Sequence, residues 1–291
     1  MRELIRTVAA WSGTISLLSS WSPSRAVRLT LWLHGGVILG LVLWPATWAW
    51  LLAAIIANHL LLGVLGMWPR SSLLGANLSR LPPSCQCNGY VALTFDDGPD
   101  PDVTPYVLEV LDRYSAKASF FCVAKRAARH PDLVHEILIR GHSVENHSDR
   151  HPIAFAFYGP LSLYREITNA QRLLSEVIES EPRFFRAPFG LRNPFLDPVL
   201  ACTNLRYVSW TRRGFDRVSR SPGKVLARLT RRLSGGDILL LHDCGSRLRS
   251  VNPPIVLQVL PALLDHIVHL DLSPVSLPIA IGSLSPHSAA T

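Results

Sequence analysis

Apolar and polar positions divide the chain into two regimes. From Leu29 to Met67 no Lys, Arg, Asp or Glu interrupts 39 consecutive residues. One membrane-spanning helix needs about 20 apolar residues, so the run is long enough for two. Pro45, in Trp44-Pro45-Ala46-Thr47-Trp48, supplies the break. Trp44, Trp48, Trp50 and Trp68 suit the interfacial belt. The pattern predicts a helical hairpin over 29–44 and 48–67 rather than a buried pair of core helices. His34, Asn58 and His59 interrupt it and are expected to pack between the helices.

Beyond Trp68 the pattern changes. Pro69, Gly75, Pro82, Pro83 and Gly89 mark a linker. Short apolar runs then alternate with helical periodicity. Strands are expected at Tyr90–Phe95, Ala118–Val123, His142–Val144, Phe184–Ala187, Tyr207–Trp210 and Asp237–Leu241. Thr104-Pro105 opens a helix with proline at its first turn. Further helices are expected over Pro131–Arg140, Leu161–Ser180, Pro222–Leu233 and Ile255–Ile267. Such alternation predicts parallel strands with crossover helices, and the number of units suits a barrel better than an open sheet.

Composition adjusts this picture. The chain has 291 residues, 48% hydrophobic, with net charge +8. The excess of positive charge points to an anionic partner such as a membrane surface or a phosphate-bearing substrate. Arg2, Arg6, Arg25 and Arg28 outnumber the single acid Glu3 over 1–28, and Thr7 to Ser20 reads as weakly amphipathic, without the apolar core and cleavage site of a signal peptide. Arginines flank both ends of the hairpin and none lies in its turn, which predicts both termini in the cytoplasm. Cys85, Cys87, Cys122, Cys202 and Cys244 make an odd count and read as free thiols. Residues 206–232 hold nine Lys/Arg against Asp216, with Lys224, Arg228, Arg231 and Arg232 on one helix face. A solvated face explains this charge as well as contact with anionic lipid does, and nucleic acid is disfavoured because no binding module accompanies it.

Four stretches carry candidate chemistry. In Thr94-Phe95-Asp96-Asp97-Gly98-Pro99 an apolar run stops at two carboxylates, where α/β proteins build their sites, although an Asx-turn explains two such acids equally well. In His142-Ser143-Val144-Glu145-Asn146-His147-Ser148-Asp149-Arg150-His151, the i, i+4 pair His147 and His151 would aim two imidazoles at one point from a helical turn. Joined to a strand-end Asp, the pair makes a familiar open metal site. Arg186-Ala187-Pro188-Phe189-Gly190 sets a cationic fork beside a tight turn. Asp237-Ile238-Leu239-Leu240-Leu241-His242 puts a histidine at the end of an apolar strand.

In this order and spacing the four stretches resemble the polysaccharide deacetylase family, that is, the NodB-homology domain of carbohydrate esterase family 4. The resemblance covers about residues 88–280. It implies a deformed (β/α) barrel of the NodB type, here preceded by the transmembrane hairpin. It also implies a divalent metal, zinc before cobalt, nickel or manganese, that assists removal of acyl groups from sugars. By motif, Asp97, His147 and His151 would hold the metal. Asp96 would be the general base, Arg186 would orient and tune it, and His242 would be the general acid. Asp216, in Trp210-Thr211-Arg212-Arg213-Gly214-Phe215-Asp216, is the looser match for the acid that pairs with this histidine. Pro188, Phe189, Gly190, Trp210 and Leu240 would face substrate. Phe189 stands where the family has tyrosine, which removes a hydroxyl but keeps the backbone N–H used toward the oxyanion.

The resulting expectation has five parts: a basic segment at 1–28, the hairpin at 29–68, a linker at 69–87, the deacetylase domain at 88–280 and a tail at 281–291. The expected activity is metal-dependent removal of an N-acyl group, acetyl first, from a membrane-proximal or lipid-linked glycan. The expected place is a bacterial-type inner membrane, with the catalytic domain facing the cytoplasm. Deformylation or O-deacetylation of a lipid-linked sugar, a silent glycan-binding module and a phosphoester hydrolase are the rivals. The silent module would need a missing acid or base, and Asp96 and His242 are both present.

Overall fold

The computed structural model describes residues 21–245 and 253–282. The amphipathic reading of Thr7 to Ser20 and the tail from residue 283 lie outside them. The chain forms two compact units. The first comprises residues up to Asn77 with Pro152–Arg165 and Ala187–Tyr207; the second comprises Leu78–His151, Glu166–Arg186 and the chain from Val208.

In the first unit, the helices Arg25–Leu43 and Trp48–Met67 are joined by a 3-10 turn at Pro45–Thr47, close to the expected limits. Ser24 starts the first helix, its hydroxyl accepting from Val27 N. Both helices are long and apolar enough to cross a membrane. No residue of Arg25–Leu43 is buried, and Trp32, Trp44 and Trp50 stand exposed. A core helix would hide such surface, so the exposure argues against a buried pair of core helices. Thr30 donates to Asn58 across the helices at 3.1 Å, and the His34 and His59 rings meet edge to face at 5.3 Å. Thr30 and Asn58 thus pair across the hairpin, whereas His34 and His59 bond to carbonyls of their own helices, Thr30 O and Ile55 O. The two-residue strand β5, Arg206–Tyr207, and the helix Leu196–Cys202 also belong to this unit.

The second unit is built on a parallel sheet. Its strands are β1 (Tyr90–Asp96), β2 (Ser119–Cys122), β3 (Ser143–Asn146), β4 (Phe184–Phe185), β6 (Arg212–Arg213), β7 (Ile238–His242) and β8 (Ser273–Val275). Their order is β4-β3-β2-β1-β7-β6, with β8 beside the start of β1. Side chains alternate across the sheet. Val91, Leu93 and Phe95 of β1 and Leu239 and Leu241 of β7 join one apolar cluster, which the helices Thr104–Arg113, Pro131–Ile139 and Ile255–His269 complete. Ala92, Ile238 and Leu240 point the other way, into a smaller cluster with Phe121, Phe184, Val208 and Trp210. Period two then places Thr94 and Asp96, and His242, on that second face. Register pairs Asp96 with His242 on neighbouring strands.

Several elements depart from the sequence expectation. β6, β8 and the helices Ala124–Ala127 and Leu277–Gly282 are too short to carry a periodic signal. The latter half of the stretch read as a linker is built into the second unit: Leu81 is buried, Leu81 N donates to Gly236 O, and Arg80 pairs with Asp237 at 3.0 Å. The basic helix ends at Thr230, so Arg231 and Arg232 leave the face expected for them. Arg228 turns back onto the Phe215 ring and Gly214 O, and Arg212 ties Asp237 to the carbonyls of Arg231 and Arg232. Much of that charge is thus spent on internal contacts.

Candidate active site

β1 ends at the two adjacent carboxylates, and they diverge because their backbones differ. Asp96 is the last residue of the strand and keeps its place on the inner face. Asp97 has φ 75°, a left-handed turn that redirects its side chain. Both are buried.

Asp97 meets the two histidines. Its Oδ1 lies 3.3 Å from His147 Nε2 and 3.1 Å from His151 Nε2. One ligand atom from each of the three lies within 4.8 Å of the others. The histidines sit on a loop and not on the helical turn that their spacing suggested. Ser148 and His151 both have positive φ, at 70° and 56°, which no helix allows. Short hydrogen bonds hold this loop: Asn146 Oδ1 accepts from Ser148 N, and Ser148 Oγ accepts from His151 N. His147 Nδ1 donates to the Arg186 carbonyl at 2.8 Å, which fixes its tautomer and turns Nε2 toward Asp97.

A buried oxygen donor and two imidazole nitrogens, one already oriented through its other nitrogen, fit a divalent transition metal. Electrostatics agree. Burial opposes ionisation of Asp97, but the hydrogen bond and charge of His147, with His242 and His151 beyond, hold its carboxyl far below the usual range. Burial, helped by the charge of His147, pushes His151 down to about 4, so it is a neutral imidazole at neutral pH, the form that ligates metals.

Asp96 takes a different partner. Arg186 is completely buried, and its Nη1 donates to Asp96 Oδ1 at 2.6 Å and to Thr94 Oγ1 at 2.9 Å. Nε and Nη2 donate to the carbonyls of Val208 and Ser209, and the guanidinium lies 4.1 Å above the Phe121 ring. Such a fully engaged fork holds one carboxylate oxygen in a fixed direction. The second oxygen, Oδ2, stands 3.9 Å from His147 Nε2.

His242 ends β7 and is buried. Its Nδ1 faces Asp216 Oδ1 at 2.9 Å, and its backbone N–H donates to Asp216 Oδ2 at 2.8 Å. Asp216 therefore grips both the ring and the main chain of the histidine, leaving Nε2 for chemistry. Burial disfavours the imidazolium, but the charge and hydrogen bond of Asp216, with Asp97 and Asp96 beyond, outweigh it and raise the pKa above its ordinary value.

Leu240 and Trp210 lie together in the inner apolar cluster. Pro188–Gly190 forms a single turn in the first unit, with Phe189 at φ 59° and half exposed. His142 stands apart from the other two histidines. It is buried against Phe120, accepts from Ala118 N, and burial lowers its pKa to about 4.

Sequence reasoning missed three neighbours of Asp97. Arg217 donates to Oδ2, Arg126 Nη1 donates to the backbone carbonyl at 2.6 Å, and Cys244 Sγ approaches Oδ2 at 3.9 Å. Arg217 directly follows Asp216, and that adjacency was the available signal; the surrounding run of basic residues hid it.

A family model for polysaccharide deacetylase matches residues 84–208. A peptidoglycan-N-acetylglucosamine deacetylase of Bacillus cereus is 33% identical over 175 residues, 60% of this chain and 81% of that protein. A chitooligosaccharide deacetylase of a Bradyrhizobium species is 32% identical over 53% of this chain and 70% of that protein. The structure of a family 4 carbohydrate esterase from Streptomyces lividans, in complex with acetate, superposes with a TM-score of 0.58 at 30% identity, covering 64% of this chain and 91% of that one. The parallel curled sheet, the order of the motifs and these likenesses agree: the chain belongs to the polysaccharide deacetylase family, the NodB-homology group of the family 4 carbohydrate esterases.

Proposed function

We propose that this protein is a membrane-anchored, metal-dependent hydrolase that removes the N-acetyl group from an amino sugar of a membrane-proximal or lipid-linked glycan. One observation carries the reading: the adjacent acids divide, Asp97 toward His147 and His151, Asp96 toward Arg186, with the His242–Asp216 pair one strand away. The Bacillus cereus relative is named for deacetylation of peptidoglycan N-acetylglucosamine and the Bradyrhizobium one for deacetylation of chitooligosaccharide, which supports the substrate class.

Amide hydrolysis needs an activated water, a stabilised oxyanion and a protonated leaving amine. Asp97, His147 and His151 would hold the ion, zinc by first choice, which when bound supplies a Lewis acid and makes water a better nucleophile at neutral pH. Asp96, its Oδ1 fixed by Arg186, takes the proton of the attacking water on Oδ2. His242 gives the proton on Nε2 to the leaving nitrogen, and Asp216 holds the ring and stabilises its cationic form. The surroundings of base and acid differ: Asp96 is clamped by a guanidinium, and His242 by a carboxylate whose charge raises its pKa. Leu240 and Trp210 supply an apolar wall for the acyl methyl, and the Phe189 N–H is assigned to the oxyanion from the Arg-x-Pro-x-Gly pattern.

The hairpin supports a membrane location, and the arginines around it support a cytoplasm-facing catalytic domain in an inner membrane. The hairpin is taken as 29–68, and the deacetylase domain, expected over 88–280, also takes in the segment from Leu78 that packs on it. The full chain, loaded with zinc or cobalt, is expected to release acetate from N-acetylated chitooligosaccharide, and Asp96→Asn to stop it. No release by the wild type from acetylated or formylated amino sugars would refute the proposal. A reporter active on only one side of the membrane, fused at Thr291, tests sidedness.

A further inference from the structure

A concave surface opens in the catalytic unit, beside the metal ligands. It encloses about 460 Å³ and is lined by Val123, Lys125, Arg126, Arg129 and Arg150. Four of these five residues are cations. Lys125 and Arg126 lie on the short helix Ala124–Ala127, and Arg129 follows two residues later. Arg150 comes from the loop that carries His147 and His151. Main-chain hydrogen bonds clamp the two segments together: Ala124 N donates to Ser148 O and Lys125 N to Asp149 O, both at 3.0 Å. Arg126 reaches from this cavity to the Asp97 carbonyl. The cavity and the metal ligands therefore share backbone and one bridging side chain.

The charge is largely uncompensated. Asp149 Oδ2 touches Arg150 Nε at 3.4 Å, and among the described residues no carboxylate pairs with Lys125, Arg126 or Arg129. Like charges gathered in one hollow repel one another. A merely solvated face has no need to gather them. One guanidinium suffices for a carboxylate, whereas several cations around one hollow match a group with three acceptor oxygens and up to two charges. We propose that this cavity is a subsite for a phosphoryl group carried by the N-acylated amino-sugar substrate. Its link to turnover rests on the deacetylase reading; its anion binding does not.

The test uses the full chain in an uncharged detergent, as wild type and as the double variant Lys125→Gln/Arg129→Gln, which leaves every metal ligand in place. Calorimetric titrations use N-acetylglucosamine 1-phosphate, inorganic phosphate and neutral N,N′-diacetylchitobiose. Two lost charge-assisted contacts correspond to roughly 100-fold weaker binding of the sugar phosphate. Binding of the neutral disaccharide should not change. Acetate release should follow the same split, with kcat/KM falling in the variant for the sugar phosphate only. Equal affinity of the two proteins for the sugar phosphate overturns the proposal, as does an equal loss on both sugars. If phosphatidylglycerol vesicles, but not phosphatidylcholine vesicles, displace the sugar phosphate from the wild type alone, the cavity takes a lipid head group and the substrate assignment is overturned. If the sugar phosphate binds as expected and no sugar is deacetylated, the subsite stands and the deacetylase reading fails.

Discussion

Asp216→Asn probes the pair proposed to protonate the leaving group. Asp216 makes two contacts with His242, to ring Nδ1 at 2.9 Å and to backbone N at 2.8 Å. Asparagine keeps one acceptor oxygen and loses the charge. A hydrogen bond to a charged group contributes about 1.5–3 kcal/mol. If that contribution is present only when His242 is cationic, its loss lowers kcat roughly 10- to 150-fold. The pH dependence has a definite sign. Asp216 raises His242, so activity on an amide holds through neutral pH and falls as pH rises through the raised value. Without the carboxylate, burial acts unopposed by its nearest charge, and the alkaline limb moves to lower pH. The matching stability contribution is full below about 6.5, the ordinary histidine value, and is lost as pH climbs through the folded one. The assay compares acetate release from N-acetylated chitooligosaccharide with hydrolysis of an aryl acetate, whose leaving group needs no proton. The amide rate should fall far more than the ester rate. Equal losses on both substrates, with the alkaline limb unmoved, would refute the assignment of His242 as the acid.

Three further outcomes are expected. Asp97→Ala should lose bound metal on elemental analysis, whereas Asp96→Asn should keep the metal and lose about 10²–10⁴ in turnover, the usual contribution of a general base. Arg186→Met leaves Asp96 buried without its guanidinium and should cost about 3–5 kcal/mol, read as a fall in melting temperature; an unchanged melt would show that the pair contributes nothing. His142 titrates near 4 when folded against an ordinary 6.5, so it favours folding above pH 6.5 and progressively less as pH falls toward 4. His142→Gln should flatten that acid loss, worth up to about 3 kcal/mol, in melts recorded from pH 7 to pH 4.

What was legible in the sequence was what repeats or stands in sharp contrast. The hairpin followed from absent charge, and β1 and β7 from apolar runs that stop at Asp96 and His242. What escaped depends on contacts between residues distant in the chain. The i, i+4 spacing of His147 and His151 suggested a helix, but the left-handed backbones of Ser148 and His151 bring the rings together on a loop instead. Helical periodicity could not foresee that the basic helix stops at Thr230, or that Arg217 and Arg126 turn inward to Asp97. A count of basic residues does not say which of them meet a carboxylate, because ion pairing is settled by tertiary structure.

The register between β1 and β7 has a practical consequence. Asp96 and His242 are opposite one another on adjacent parallel strands, which lie about 4.8 Å apart. The spacing of these two groups, the proposed base and acid, is thus a property of the sheet ladder rather than of any loop. Loops other than the one that carries His147 and His151 can be exchanged, lengthened or recharged to suit another sugar while the distance between these groups stays constant. An engineer seeking a new specificity on this scaffold can vary those other loops, and should leave the strand ends and the His147–His151 loop alone.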